Sequence, residues 1–308
     1  MAVQHPPATT ADLRSPLVTA ARGSRRPTSW WGAILVVLVA LLATGLVGSA
    51  GLAFEAGSLA YQLVFTWSFL AGILLLAAWL RFKEGRSFAS VGFLGPIAAG
   101  WARFGIGIVT GAASLAAVTG ILVLLGAYGR SEPPAAATSG FAALAAVALL
   151  LIGFAIQGSA EEIWYRGFLL QTSALRMRLG WAMALQAALF GVSHAANPGD
   201  FSIVALANII LVGIFLGYLA LGQGSLWLVC GWHAGWNWCQ GNVLGIPVSG
   251  QGMNNSLLFM APTGEASATV SGGSFGVEGS AVLTVLLAIA AVLAGMYYYR
   301  RARRGWTV

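Results

Sequence analysis

The chain has 308 residues, of which 58% are hydrophobic and only 8% are charged. Soluble domains average about 25% charged residues, so this composition excludes an ordinary soluble protein and predicts an integral membrane protein. The formal net charge is +7, but the basic residues flank hydrophobic runs and do not indicate nucleic-acid binding. We therefore expect membrane lipids, and no nucleic acid, around this chain.

The hydrophobic runs predict an all-α membrane protein, a polytopic bundle of about eight transmembrane helices. Residues 1–29 are polar, proline-rich and basic, which is typical of a disordered cytoplasmic tail. The run at about 30–54 is long enough to cross a bilayer and too long for the core of a signal peptide. Further apolar runs lie near 59–80, 102–126, 141–172, 181–199, 202–221, 225–245 and 280–299.

The basic residues predict the orientation of the bundle. With a cytoplasmic N-terminus, nearly all of the 16 lysines and arginines fall in the tails and in the inner loops. Positive side chains are enriched on the cytoplasmic side, so we expect both termini in the cytoplasm and the protein in the plasma membrane. Residues 30–299 are then the transmembrane domain, and residues 300–308 are a second basic cytoplasmic tail. The Gly/Ser-rich outer segment 246–279 is either an ordered loop or a mobile one.

Three charged side chains interrupt the fourth apolar run, namely Glu161, Glu162 and Arg166. A charge at the centre of a bilayer costs about 2.5–3.5 kcal/mol on insertion scales, so these groups must pair, hydrate or take part in chemistry. Residues four apart share one face of a helix, which allows Glu162 and Arg166 to pair. The simplest interpretation of that pair is charge neutralisation in lipid.

Two histidines and an asparagine, His194, His233 and Asn237, also lie in apolar runs. Counted from the predicted inner turns at 1.5 Å per residue, Glu161 lies about 28 Å and His194 about 21 Å along their helices. His233 lies about 14 Å and Asn237 about 20 Å from its own turn by the same rise. The four side chains can therefore converge at one point within the membrane.

This set of side chains is suited to hydrolysing a carbonyl compound. A carboxylate and an imidazole can hold a water molecule and take its proton. A second imidazole and an amide can donate hydrogen bonds to an oxyanion. Two histidines and a glutamate could instead bind Zn²⁺, with Glu161, His194 and His233 as ligands, although no His-Glu-x-x-His motif specifies a metal. A proton-coupled transporter is disfavoured, because no inverted repeat is evident.

Three motifs occur in order along the chain, Glu161–Glu162–x–x–x–Arg166, Phe190–x–x–x–His194 and His233–x–x–x–Asn237. Together they resemble the motifs of the CPBP intramembrane proteases, a family that includes the CAAX prenyl endopeptidase of the Rce1 type and bacterial Abi-type relatives. The similarity covers roughly residues 88–300 and is densest in 141–245.

The resemblance implies a hydrolase, an intramembrane endopeptidase, with a role for each motif residue. Glu161 is the implied general base and His194 its partner in holding the water, while His233 and Asn237 are the implied oxyanion donors. Both a glutamate-dependent mechanism without a metal and a metal-dependent one stay open. Eukaryotic-type members act on prenylated proteins, so the implied substrate is a membrane-associated protein or peptide, lipidated or not.

The remaining motif residues have supporting roles by the same resemblance. Glu162 and Arg166 would tune and orient the site, and Phe190 would be a packing residue or a pocket wall. Several bacterial members resemble immunity or regulatory proteins, so a non-catalytic membrane protein of the Abi type is the alternative function.

Overall fold

The computed structural model describes residues 15–306, so residues 1–14 of the first predicted tail and residues 307–308 of the second lie outside the described residues. Each of the eight apolar runs contains a helix. In chain order these are α1 (Trp30–Gly48), α2 (Leu59–Ala78), α3 (Ile97–Leu124), α4 (Leu144–Glu162), α5 (Leu179–Ser193), α6 (Ile203–Gln223), α7 (Trp227–Trp238) and α8 (Ala281–Arg304).

Not every one of these helices is long enough to span a bilayer. Between residues 15 and 306, six helical stretches are long and apolar enough to cross a membrane. The other two are α5, a shorter apolar helix, and α7, which has 12 residues. Helix α5 stops early because Asn197–Pro198–Gly199, a sequence typical of turns, lies within the predicted run. The predicted all-α membrane bundle is confirmed, whereas the count of eight membrane-crossing helices is not.

Helix α4 continues past its last α-helical residue without a break in direction. A π-helical turn, Ile163–Leu169, follows Glu162 directly, and a last helical piece, Leu170–Ala174, completes the stretch. Turns of this kind are rare in helices and occur frequently at functional sites. All seven residues of the turn are buried, so the charged part of the predicted motif lies inside the bundle.

The start of the described chain differs from the disordered tail predicted for residues 1–29. Residues Pro16–Thr19 form a short helix and Ala20–Gly23 a 3₁₀ turn. Leu17 and Val18 are buried in the core, and the Ser15 hydroxyl donates a hydrogen bond to the Leu221 carbonyl at 3.0 Å. Because the tail is polar on average, its composition did not indicate this apolar pair. Burial of the pair holds residues 15–23 against the end of α6.

The outer segment 246–279 is ordered by two small sheets. Strand β1 (Tyr128–Arg130) pairs antiparallel with β4 (Met260–Pro262), and β2 (Thr138–Ser139) pairs parallel with β3 (Asn255–Ser256). Both pairings join this segment to the connection between α3 and α4. The segment is therefore fixed over one end of the bundle.

Helices α3 and α7 pack closely through glycines spaced four residues apart. A Cβ atom on Gly111 of α3 would lie 2.1 Å from the Trp232 carbonyl oxygen, and one on Gly235 of α7 would lie 2.2 Å from the Ile108 oxygen. Small residues at such positions let helix backbones approach each other in a membrane. The contact fixes the position of α7, which carries His233 and Asn237.

Replacing Gly111 by alanine is expected to destabilise the protein by about 1–3 kcal/mol, because backbone atoms cannot move aside for a methyl group. Thermal unfolding of the purified protein in detergent measures the change. Gly105→Ala on the same helix is the matched control, since a Cβ atom at Gly105 meets nothing within 4 Å. Equal unfolding temperatures for the two variants would contradict the close contact.

Candidate active site

A cavity of about 150 Å³ inside the bundle brings together the four predicted catalytic residues. Glu161 of α4, His194 at the end of α5, and His233 and Asn237 of α7 all line it. Glu161, His233 and Asn237 are buried, whereas His194 is half-buried. Side chains from three separate helices therefore meet at one place, as the helix arithmetic expected.

Glu161 is held by a glutamine that the sequence analysis missed. The Gln157 side-chain amide donates to one Glu161 oxygen, Oε1, at 2.9 Å, and its own oxygen accepts a hydrogen bond from the Asn237 amide at 2.9 Å. Gln157 lies four residues before Glu161 on the same face of α4. A polar residue at that spacing, in an otherwise apolar helix, is the feature of the sequence that could have indicated this role of Gln157. The chain Asn237–Gln157–Glu161 fixes the carboxylate relative to α7.

His233 lies between the two adjacent carboxylates. Its Nδ1 is 2.9 Å from Glu162 Oε1, and its Nε2 is 3.5 Å from Glu161 Oε2. A carboxylate oxygen accepts, so Nδ1 carries a proton and donates to Glu162. The second distance is long for a hydrogen bond, and Glu161 Oε2 has no hydrogen-bond partner within residues 15–306. His233 is thus oriented by Glu162, and its Nε2 is not engaged in a hydrogen bond.

Arg166 forms a fully buried ion pair with Glu162. Its Nη1 is 3.1 Å from Glu162 Oε1, and both side chains have no exposed surface. The guanidinium also lies 4.2 Å from the centre of the Phe190 ring, a cation–π contact. The same ring makes edge contacts with His194 and His233, at centroid distances of 4.7 and 6.2 Å. Phe190 therefore packs against Arg166 and against both histidines.

The orientation of His194 follows from its contact with the backbone. Its Nδ1 is 2.8 Å from the Phe190 carbonyl oxygen. A carbonyl only accepts hydrogen bonds, so Nδ1 carries the proton and a neutral ring keeps the Nε2 lone pair free. In the part of the chain that the structure describes, His194 makes no direct hydrogen bond to Glu161. The two side chains share the cavity rather than touching.

A turn of the outer segment covers one wall of the cavity. Val248, Ser249 and Gln251 line it, together with Glu278. The Glu278 carboxylate accepts hydrogen bonds from the Ser249 backbone N–H at 2.9 Å and from its hydroxyl at 3.0 Å. The Gln240 amide donates a third, at 2.6 Å. Sequence analysis assigned Glu278 no role, because nothing local to residue 278 indicates that it contacts residue 249.

Stability is expected to depend on pH through Glu278. Burial raises the pKa of this carboxyl above its ordinary 4.5, against the lowering effect of its hydrogen bonds. The folded protein then binds the proton more tightly than the unfolded chain, so this contribution to stability is present below pH 4.5 and is lost as the pH rises through the folded pKa. The unfolding temperature of the wild type relative to that of Glu278→Gln should therefore fall as the pH is raised above 4.5.

The exposed Glu265, in the same segment, supplies the control for this measurement. Glu265→Gln makes the same chemical change away from the cavity and should retain the pH dependence of the wild type. A constant difference between wild type and Glu278→Gln across the range would contradict the raised pKa.

The zinc alternative requires three donor side chains arranged around one point. Within residues 15–306, no group of three or more His, Cys, Asp and Glu side chains is placed to hold a metal ion. Both nitrogens of His233 face carboxylates, and one nitrogen of His194 faces a carbonyl. The set Glu161, His194 and His233 therefore does not fit Zn²⁺ in this arrangement.

Residues 143–239 match the family model described as type II CAAX prenyl endopeptidase, Rce1-like. This segment is similar to the Rce1-like family. It covers about a third of the chain and contains all seven motif residues, from Glu161 to Asn237. The resemblance found in the sequence is confirmed, while its extension over the rest of 88–300 stays a prediction. A search of curated proteins found no match, and neither did a search of solved structures.

The Rce1-like segment and the apolar helices together support a coarse assignment. The chain is an integral membrane protein, and its segment 143–239 is similar to the CAAX-type intramembrane proteases, which are hydrolases that act on proteins.

Proposed function

We propose that this protein is an intramembrane endopeptidase that hydrolyses peptide bonds with water activated by Glu161 and His194. The observation that carries the proposal is that these two side chains line one cavity with His233 and Asn237 inside an apolar bundle. A non-catalytic anchor would need buried pairs only. Here Glu161 Oε2 and His194 Nε2 make no hydrogen bond to a residue in 15–306.

Water activation uses two hydrogen-bond acceptors. One Glu161 oxygen is fixed by Gln157, and the other has no hydrogen-bond partner in the described residues. The His194 Nε2 lone pair is the second acceptor. A water held between them presents its oxygen to the substrate carbonyl, transfers a proton to Glu161 as the C–O bond forms, and the same proton then protonates the departing amine. General-base catalysis of this kind contributes about 10²–10⁴-fold.

The tetrahedral oxyanion would be stabilised by His233 and Asn237. Asn237 uses one amide hydrogen on Gln157 and keeps the other. His233 is anchored through Nδ1 to Glu162, so its Nε2 is the nitrogen left to donate to the oxyanion. Each such donor is worth about 2.7–4 kcal/mol when it is aimed at developing charge. Arg166 balances the charge of Glu162. The paired carboxylate then keeps His233 oriented.

A second cavity, which adjoins the first, supports the proposed substrate class. It has a volume of about 460 Å³ between α1, α2 and α5, with mostly apolar walls. Leu41, Phe65 and Phe69 line both cavities, as do Ser193 and Asn197. A membrane-associated protein or peptide, with or without an attached lipid, fits such a route. The positive side chains support a plasma-membrane protein with both termini in the cytoplasm.

Sequencing of protein C-termini in cells tests the proposal. Cells that express the wild type should contain new C-termini of membrane-associated proteins that are absent from cells with Glu161→Ala. Identical C-termini in the two cell lines, at equal expression, would instead favour the non-catalytic immunity or regulatory alternative.

A further inference from the structure

A groove between α6 and α8 lies away from the catalytic cavity. It has a volume of about 540 Å³ and apolar walls that include Ile214, Val292 and Met296. Gly295 leaves it open, because a Cβ atom there would meet only the Tyr218 ring, at 3.7 Å. None of the groove residues lines the catalytic cavity, so the proposed peptidase does not account for it.

Two arginines, Arg300 and Arg303, line one end of this groove. Both are exposed, and their spacing of three residues places them on one face of α8. Neither makes a hydrogen bond or ion pair to a residue in 15–306. Their neighbour Arg301 differs, since it donates to the Tyr297 hydroxyl at 3.4 Å and stacks on the Trp306 ring. The guanidinium groups beside the groove are therefore available to a ligand.

The groove has the polarity expected at a membrane boundary. The arginines follow the apolar part of a candidate span, Ala281–Arg304. The rings of Tyr218 and Tyr299, 6.1 Å apart, lie beside them. Aromatic side chains are enriched at the headgroup level. From Arg300 back to Val292 is about 12 Å along the helix at 1.5 Å per residue. One end of the groove thus suits a headgroup and the rest suits hydrocarbon.

We propose that this groove is a binding site for an anionic glycerophospholipid. The phosphate binds Arg300 and Arg303, and an acyl chain lies in the apolar part of the groove beside Gly295. Guanidinium groups bind phosphate through paired hydrogen bonds, and basic pockets between membrane helices favour anionic headgroups. A zwitterionic lipid brings a cationic group toward the same two arginines, so net charge decides between the lipids. The inference does not depend on the proposed peptidase.

Binding of defined lipids to the full-length protein in detergent tests the proposal. Phosphatidylglycerol and phosphatidylcholine with identical acyl chains are titrated, and binding is measured by native mass spectrometry and by the shift in unfolding temperature. The wild type should bind phosphatidylglycerol on the order of tenfold more tightly. Arg300→Gln/Arg303→Gln should lose this preference. Arg304→Gln, at an exposed arginine of α8 outside the groove, should retain it.

The apolar part of the groove is tested separately from its two arginines. Gly295→Leu fills the groove and should weaken the binding of both lipids. Equal affinity of the wild type for the two lipids would overturn the proposal, as would equal losses in Arg304→Gln and the double variant. A shift produced by inorganic phosphate alone, equal to that of phosphatidylglycerol, would also overturn it, because the acyl chain would then have no role.

Discussion

Replacement of Glu161 by glutamine is expected to lower kcat/KM for peptide cleavage by about 10²–10⁴-fold. The amide has nearly the same shape as the carboxylate and can still accept the hydrogen bond from Gln157. It cannot take a proton from water, so the chemical step is lost while packing is preserved. The measurement is cleavage of a membrane-displayed peptide by the purified protein in liposomes.

The control for Glu161→Gln is Glu132→Gln, which makes the same change at an exposed position. This variant should keep full activity, and both variants should unfold at nearly the wild-type temperature. His194→Gln should lose activity as well, because it removes the second acceptor for the water. Full activity in Glu161→Gln would remove the basis for assigning it as the general base, whatever the outcome for His194.

The apolar runs predicted most of the architecture, because each of them had to become a helix in lipid. The depths of Glu161, His194, His233 and Asn237 followed from helix rise alone, and these residues do line one cavity. Helix rise does not fix rotation about the axis. For that reason the sequence did not indicate that His233 Nδ1 faces Glu162, at a distance of 2.9 Å. It indicated only that His233 could face the substrate.

The features that the sequence did not reveal depend on contacts between distant segments. Gln157 acquires a role only when α7 brings Asn237 within hydrogen-bond distance. Glu278 becomes part of the cavity wall only because the outer segment folds back and Ser249 donates to it. Leu17 and Val18 look like an isolated apolar pair in a polar tail until the bundle buries them. Averages of composition cannot detect such contacts.

Replacing Arg166 by methionine is expected to destabilise the protein by about 3–5 kcal/mol, the usual cost of removing one partner of a buried ion pair. Methionine is close in length to the arginine stem, so the packing of the stem is kept while the cation–π contact with Phe190 is lost. The main effect is on Glu162, which has no exposed surface and would keep only His233 as a partner for its charge. Unfolding by denaturant in detergent measures the change.

A double variant, Glu162→Gln/Arg166→Met, separates charge from packing. It removes both members of the pair, so no uncompensated charge stays buried, and it should recover most of the lost stability. Arg130→Met, at an exposed position in β1, makes the same change and should alter stability by no more than about 0.5 kcal/mol. If the double variant is as unstable as Arg166→Met, packing and not charge explains the loss. If it folds well but cleaves slowly, then Glu162 acts by orienting His233, since the ring has lost the carboxylate that fixes its Nδ1.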